Sequence, residues 1–384
     1  MTQDVDKHEL AQGTSHRAQM ILPYGTGELR VAQPREEEPL RRGNRLTKPG
    51  WKLVLKRCVI DWGPDAMVDR GATLTYYSVL SLAPMLLAAY SIITLLLPRD
   101  EAAAESLITG LVTEYVPAEL QEQALELVLN IIGTPAQSTI ALTISVIISL
   151  LSASAYVRSF SRNANLIYGR TEGRNIVITW LTMWLITLVM VVGAVLILMG
   201  MFLTESIVTA VLGPLAAPLK LEDTLEYLTS IFLPVWAYAR VPVIIVAAIA
   251  LISVLYFLAP NVKPGRFRLL TVGSTLALVV IATIWSLFSW YLSAIGVRSP
   301  YGAFGTVLAV LGLLWVMNIV LLEGVKIDAE ILRAKELQAG LDSGHLIQAP
   351  PRSNDGAKWR LQTLAWADKT VAEIQARRQD EERE

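Results

Sequence analysis

A single cysteine, Cys58, stands in 384 residues. No internal disulfide is possible, and metal sites built on four cysteines, or on two cysteines and two histidines, are excluded. Histidine is nearly as scarce: His8, His16 and His345 all lie in polar terminal segments. That removes an intramembrane histidine relay and a buried serine–histidine–aspartate triad. Charge is also in deficit. Asp, Glu, Lys and Arg make up 17% of the chain, against about 25% in average soluble domains. The net charge of −1 points to no nucleic-acid partner. The apolar stretch at residues 20–24 is too short for a secretory signal core of about 7–15 residues, so the first long apolar run is expected to serve as the insertion signal and to stay in the protein. Nothing here nominates a catalytic residue, a metal or a cofactor.

What fills the chain instead is hydrocarbon. Hydrophobic residues reach 53%, and the mean hydropathy is +0.46. They are gathered into six uncharged runs: 71–98, 127–157, 175–204, 241–262, 269–297 and 299–322. Each exceeds the roughly 20 residues of helix needed to cross a bilayer core of about 30 Å. The expected fold is all-α, a polytopic bundle of six transmembrane helices at about 72–97, 138–158, 176–203, 241–262, 269–293 and 302–323. Lys and Arg crowd residues 41–70, 158–174, 263–268 and 326–335, whereas the alternate loops hold only Arg99, Lys220, Arg240 and Arg298. The positive-inside rule then puts both termini in the cytoplasm.

The flanking segments complete the plan. Residues 1–50 are polar and turn-rich and read as a mostly disordered tail; 51–335 form the membrane domain, and 336–384 a cytoplasmic, partly helical tail. Within "WKLVLKRCVIDW", Trp51, Val54, Leu55, Cys58, Val59 and Trp62 fall on one helical face, with Lys52, Lys56, Arg57 and Asp61 on the other. Such a helix lies in the headgroup plane or packs on the protein's own loops. Residues 99–137 carry seven acids, and Pro117 opens an amphipathic stretch there. An outer helical hairpin is expected, its acids either a solvated face or a cation funnel.

In hydrocarbon, ionisable side chains are the usual functional pointers, yet the six runs contain none. Candidates for a functional or cavity-lining role are therefore modest. Pro84 breaks the backbone ladder of the first span and is expected to kink it. Tyr76 and Tyr77, about two turns earlier, either border a cavity or anchor the interface. In the second span Ala141, Ser145, Ser149 and Ala153 recur every fourth position, a close-packing seam, with Ser152 adding a hydroxyl and Arg158 closing the span. Asn318 is the carboxamide deep in the sixth span and is expected to bond across to a neighbour. Past it, a 20-residue count from Gly302 puts Glu323 at the membrane boundary. Lys326 is then expected to snorkel to the headgroups, with Asp328 and Glu330 in water. Glu323 is expected to face the bundle interior and to pair with Lys326, Arg158 or Arg162.

Several of these stretches resemble one family. "GATLTYYSVLSLAPMLL" (71–87), "LLSASAYVRSFSRNANLIYGR" (150–170), "LYFLAPN" (255–261), Gly273 and "YGAFG…LLWVMNIVLLEGVKIDAE" (301–330) are similar, in the same order, to the YihY/virulence factor BrkB family of bacterial inner-membrane proteins, once described as ribonuclease BN. The resemblance implies six transmembrane helices and a cytoplasmic N-terminus, with loose links to envelope integrity, serum resistance and lipid or lipopolysaccharide export. It brings no catalytic residues, and ribonuclease activity is not expected. One departure stands out. The family pattern of leucine-glycine-alanine-glutamate, with an asparagine two positions on, is here Glu323-Gly324-Val325-Lys326 and then Asp328, so the acid has moved to Glu323. The resulting expectation is a transporter or flippase-like handler of a lipid or amphiphilic envelope substrate in the inner membrane. A non-transporting envelope-assembly scaffold is the alternative. Expected partners are membrane lipids, with a homo-oligomer or an envelope protein.

Overall fold

A computed structural model describes residues 18–20, 30–32, 43–96, 109–110, 112–113, 121–122, 125–126, 139–170, 172–205, 208–209, 212–213, 216, 222–263, 268–295 and 303–383. Apart from one antiparallel ladder, β1 (Ala18–Met20) with β2 (Arg30–Ala32), the described elements are helical. They are α1 (Lys48–Ile60), α2 (Met67–Leu96), α3 (Thr139–Ile167), α4 (Ile176–Phe202), the short α5 (Glu222–Tyr227), α6 (Leu233–Leu258), α7 (Val272–Ile295), α8 (Ala303–Gln338) and α9 (Asp355–Glu381). A π-helical turn, Leu228–Phe232, joins α5 to α6. The outer hairpin expected over 99–137 falls almost wholly outside the described residues.

Local chemistry sets several of these boundaries. The Thr47 hydroxyl accepts from Gly50 N–H at 3.3 Å, and Pro49 fits the first turn of α1, where its missing N–H costs nothing. The Asn175 side chain accepts from Ile178 N–H at 2.8 Å and starts α4. Elsewhere the helices outrun the uncharged runs. The helix carrying the fourth run begins at Glu222, so Arg240 lies within it. The helix of the sixth run continues to Gln338, well past Glu323. A charge ends a hydrophobic run without ending the backbone ladder.

Four described helices are long and apolar enough to cross a membrane: Ile176–Met201, Glu222–Leu258, Val272–Tyr291 and Val307–Gln338. With α2 and α3 they form a ring in chain order. Helix α2 packs on α3, α3 on α4, α4 on α6, α6 on α7, α7 on α8, and α8 closes on α2, while α3 and α8 also pack directly on one another behind α2. Helix α1 lies against α8 from outside the ring.

One end of this ring is tightly packed. It gathers the start of α2, the α3–α4 and α6–α7 turns, the last turns of α8 and the strap of residues 341–353. Leu74, Phe160, Met183, Leu255, Leu322 and Ile347 are all nearly inaccessible there. It is also where the basic loops converge, so it is called the basic end below. Toward the other end the described faces of α4, α6 and α7 are largely apolar and uncovered, among them Leu196, Val235, Leu287 and Trp290.

Candidate functional site

Helix α8 organises the basic end level by level. Asn318 is buried between three helices. Its carbonyl accepts from Tyr156 of α3 at 2.9 Å, and its amide donates to Thr75 and Ser78 of α2 at 3.2 and 3.3 Å. Nearly two turns on, Gly324 meets Gly273 of α7. A Cβ on Gly324 would lie 2.8 Å from the Gly273 carbonyl and 3.0 Å from the Ala277 methyl. Only glycine at both positions permits so close a crossing. The Tyr256 hydroxyl of α6 donates to the Leu321 carbonyl at 2.5 Å, fixing a third helix at the same height.

Below the crossing, charges that the sequence placed in headgroups and water are enclosed instead. Lys326 is 3% exposed and Glu330 is 0%. The Lys326 ammonium reaches Asp61 and Asp65 of the α1–α2 turn at 2.8 Å each and Glu330 at 3.2 Å. Glu330 also pairs with Arg333 at 2.8 Å, and Arg333 donates to the Ser343 carbonyl at 3.2 Å. The expectation of a snorkelling Lys326 and a hydrated Glu330 is therefore corrected. Counting residues against bilayer thickness assumes water beyond the boundary, but α1, the α1–α2 turn and the strap cover α8 there. Asp328 is not in water either. It caps α7, accepting from Thr271 Oγ1 at 2.5 Å and Gly273 N–H at 2.8 Å, which places a carboxylate on the positive end of the helix dipole.

Glu323 does not form the expected ion pair. Lys326 is engaged elsewhere. Arg158 donates to the Ser154 hydroxyl and lies over the Trp180 ring at 4.3 Å, and Arg162 is exposed. Glu323 faces Cys58 of α1, and its Oε2 is buried without a hydrogen-bond donor. Burial first, then the Glu323 and Glu330 carboxylates, push the Cys58 thiol up to about 12. Among the other candidates, Tyr76 is 61% exposed and packs edge-on to Tyr77 at 5.3 Å between ring centroids. The backbone of α2 is helical through Pro84, and that of α3 through Ser152; the side chains of both lie outside the described residues.

Several anchors of this end have no counterpart in the sequence reading. Arg174 donates to the Leu258, Ala259 and Pro260 carbonyls, which terminates α6 on a cation as its dipole favours. Its burial lowers its basicity. Arg170 is 2% exposed and donates to the Ile347 and Ala349 carbonyls of the strap. Asn261 is a hub: its N–H donates to Asn165, its amide to the Ser353 carbonyl at 3.0 Å, and its Oδ1 accepts from the N–H groups of Arg352 and Ser353 at 3.1 Å. The available signals were the Lys326, Glu330 and Arg333 spacing on one helix face and the asparagine closing "LYFLAPN".

A ring of long apolar helices, tied at one end by buried ion pairs, defines a helical membrane protein. The family model described as virulence factor BrkB matches residues 61–344, and the chain belongs to that family. It is similar to the ribonuclease-like protein YfkH of Bacillus subtilis (strain 168), at 28% identity over 279 residues, covering 70% of this chain and 91% of that protein. No solved structure matches. Among the described residues no group of three or more His, Cys, Asp or Glu is placed to hold a metal.

Proposed function

We propose that this protein is a transporter, flippase-like in action, that handles a lipid or other amphiphilic envelope substrate. It would span the bacterial inner membrane six times, with the basic end and both termini in the cytoplasm. The observation that carries the reading is the ring itself. It is sealed by packing and ion pairs at the basic end, while the described faces of α4, α6 and α7 away from that end are apolar and uncovered. The six uncharged runs hold no ionisable residue, so a proton or ion relay at mid-membrane has no groups to run on, whereas an amphiphile needs an apolar path. Helix α1 adds support. Leu55, Val59 and Ile60 are exposed beside Lys52 and Lys56 while Val54 is buried on α8, an arrangement suited to the headgroup layer.

The test is flux. Protein reconstituted in vesicles with fluorescent phospholipid in both leaflets is expected to expose inner-leaflet label to a membrane-impermeant quencher faster than protein-free vesicles do. No acceleration across neutral, zwitterionic and anionic lipids would sink the reading. The scaffold alternative draws on α9, whose Trp359, Trp366 and Ile374 are 63%, 72% and 64% exposed. It predicts a stoichiometric protein partner that is lost on removing residues 355–384.

A further inference from the structure

Two helices that pack on one another, α3 and α4, meet the membrane boundary side by side at the basic end. The uncharged run of α3 stops at Val157, and the apolar length of α4 starts at Ile176. Tyr156 bonds Asn318 inside the ring. Arg158, two residues and about 200° further round α3, therefore lies on the ring's outer side. Arg162 follows it by four residues and is exposed. Like charges at that spacing repel, and an anion between them would relieve the repulsion.

Arg158 is held in place for such a ligand. Its guanidinium lies over the Trp180 ring of α4 at 4.3 Å, and its Nη1 donates to the Ser154 hydroxyl. Stacking occupies the flat face of a guanidinium and leaves the edge free to donate. Ser154 accepts from Nη1, so Nε and Nη2, which share one edge, remain as donors. Such a fork matches two oxygens of a single phosphate. The surroundings argue for what the phosphate is attached to. Trp180 is 49% exposed, and further along α4 Leu181, Leu185 and Val189 are 65%, 55% and 41% exposed at four-residue spacing. This uncovered apolar stripe starts at the arginine fork and runs into the bilayer. A soluble anion has no use for it; an acyl chain has. Tryptophan beside basic side chains is also the composition of the membrane–water interface.

We infer that the outer groove between α3 and α4 binds an anionic glycerophospholipid, with the Arg158 fork and Arg162 on its phosphate, Trp180 beside the glycerol and an acyl chain along Leu181, Leu185 and Val189. The inference rests on the membrane placement of α4 in the reading above, and not on lipid being moved. It predicts selectivity of two kinds. Charge favours anionic lipid about fivefold per basic side chain. The fork favours arginine over lysine at position 158, because an ammonium offers a point charge and no bidentate edge.

The experiment is equilibrium retention of lipid on the purified full-length protein in uncharged detergent, read by native mass spectrometry. Phosphatidylglycerol, phosphatidylcholine and water-soluble glycerol phosphate are titrated in parallel. Phosphatidylglycerol is expected to bind about tenfold or more tightly than phosphatidylcholine, and glycerol phosphate to show no comparable retention. R158Q/R162Q should lose about 25-fold in phosphatidylglycerol affinity, and R162Q alone, at an exposed position, about fivefold. R158K should lose about fivefold, the worth of one hydrogen bond, whereas R162K should bind like the parent. K369Q/R377Q removes two exposed cations from α9 instead and should also bind like the parent. Equal retention of the two lipids, R158Q/R162Q no weaker than K369Q/R377Q, R158K as tight as the parent, or glycerol phosphate binding as tightly as the lipid would each overturn the inference. Flux is not read here, so the two proposals fail separately. A chain that selects phosphatidylglycerol but moves no lipid refutes only the transport reading; one that moves lipid without this selectivity refutes only the groove site.

Discussion

Replacing Lys326 with methionine keeps an unbranched apolar stem in place and removes one charge from a buried cluster. The Lys326 side chain is 4% exposed and sits 2.8 Å from Asp61, 2.8 Å from Asp65 and 3.2 Å from Glu330. Breaking a buried pair by removing one partner costs about 3–5 kcal/mol, because the other charge is left uncompensated. Here the loss is partly relieved. Asp61 and Asp65 keep side-chain exposures of 19% and 24% and can rehydrate, and Glu330 retains Arg333 at 2.8 Å. The expected cost is therefore near the lower bound, about 3 kcal/mol. Adding D61N and D65N removes two of the orphaned carboxylates and should return about 1–2 kcal/mol, a coupling within the range for residues in contact. Glu323→Gln is the counter-test. Its carboxylate makes no ion pair among the described residues, whereas Lys326 makes three, so the change should cost clearly less than K326M. The assay is unfolding of the purified protein from mixed micelles by sodium dodecyl sulfate at neutral pH, followed by circular dichroism. A K326M variant within about 1 kcal/mol of the parent, or an E323Q variant as damaged as K326M, refutes the assignment of the Lys326 ammonium to Asp61, Asp65 and Glu330.

Gly273→Ala puts a methyl against the Gly324 carbonyl and 2.7 Å from the Asp328 carboxyl carbon; overpacking of about 1–3 kcal/mol is expected in the same unfolding assay. Gly312→Ala, where an added Cβ meets nothing within 4 Å among the described residues, should not destabilise, since alanine propagates a helix better than glycine. Asn261→Ala strips three side-chain hydrogen bonds, two to Ser353 and one to Arg352, while its backbone N–H keeps its bond to Asn165, and should cost about 3 kcal/mol, at about 1 kcal/mol per bond; protease sensitivity of the 341–353 strap should rise with it. Cys58, with its thiol pushed up to about 12, is expected to react with a maleimide at pH 7.5 about three-thousandfold more slowly than a free cysteine of ordinary pKa near 8.5, since only the thiolate attacks. E323Q should speed the reaction, and labelling of the parent at the free-thiol rate would contradict the buried Cys58–Glu323 contact.

How the sequence relates to this end of the molecule depends on which physical quantity is asked of it. Helix positions were legible because a bilayer imposes a length, and runs such as 175–204 answer to it directly; α4 (Ile176–Phe202) lies where 176–203 was expected. Helix ends were less legible, because Arg240 and Glu323 interrupt hydropathy without interrupting hydrogen bonding. Loop charge was read as a count. As a count it still sorts the loops onto one end of the ring, but the individual cations do separate work. Arg170 holds the strap, Arg174 caps α6, and Lys326 ties the α1–α2 turn to α8.

The error at Glu323 has the same origin. Two charges three apart on a helix predict each other when nothing else competes, and an i,i+3 pair contributes only about 0.2–0.5 kcal/mol. Asp61 lies 265 residues away in sequence yet 2.8 Å away in space, and no periodicity within α8 encodes that approach. What determines it is the burial of Lys326. An ammonium cut off from water needs more than one carboxylate, and the α1–α2 turn supplies two where α8 alone offers Glu330. Glu323, displaced from the ion pair its spacing suggested, is left against Cys58. The acid that departs from the family pattern thus lies outside the Lys326 ion-pair cluster, in contact with the outer helix α1 that covers it.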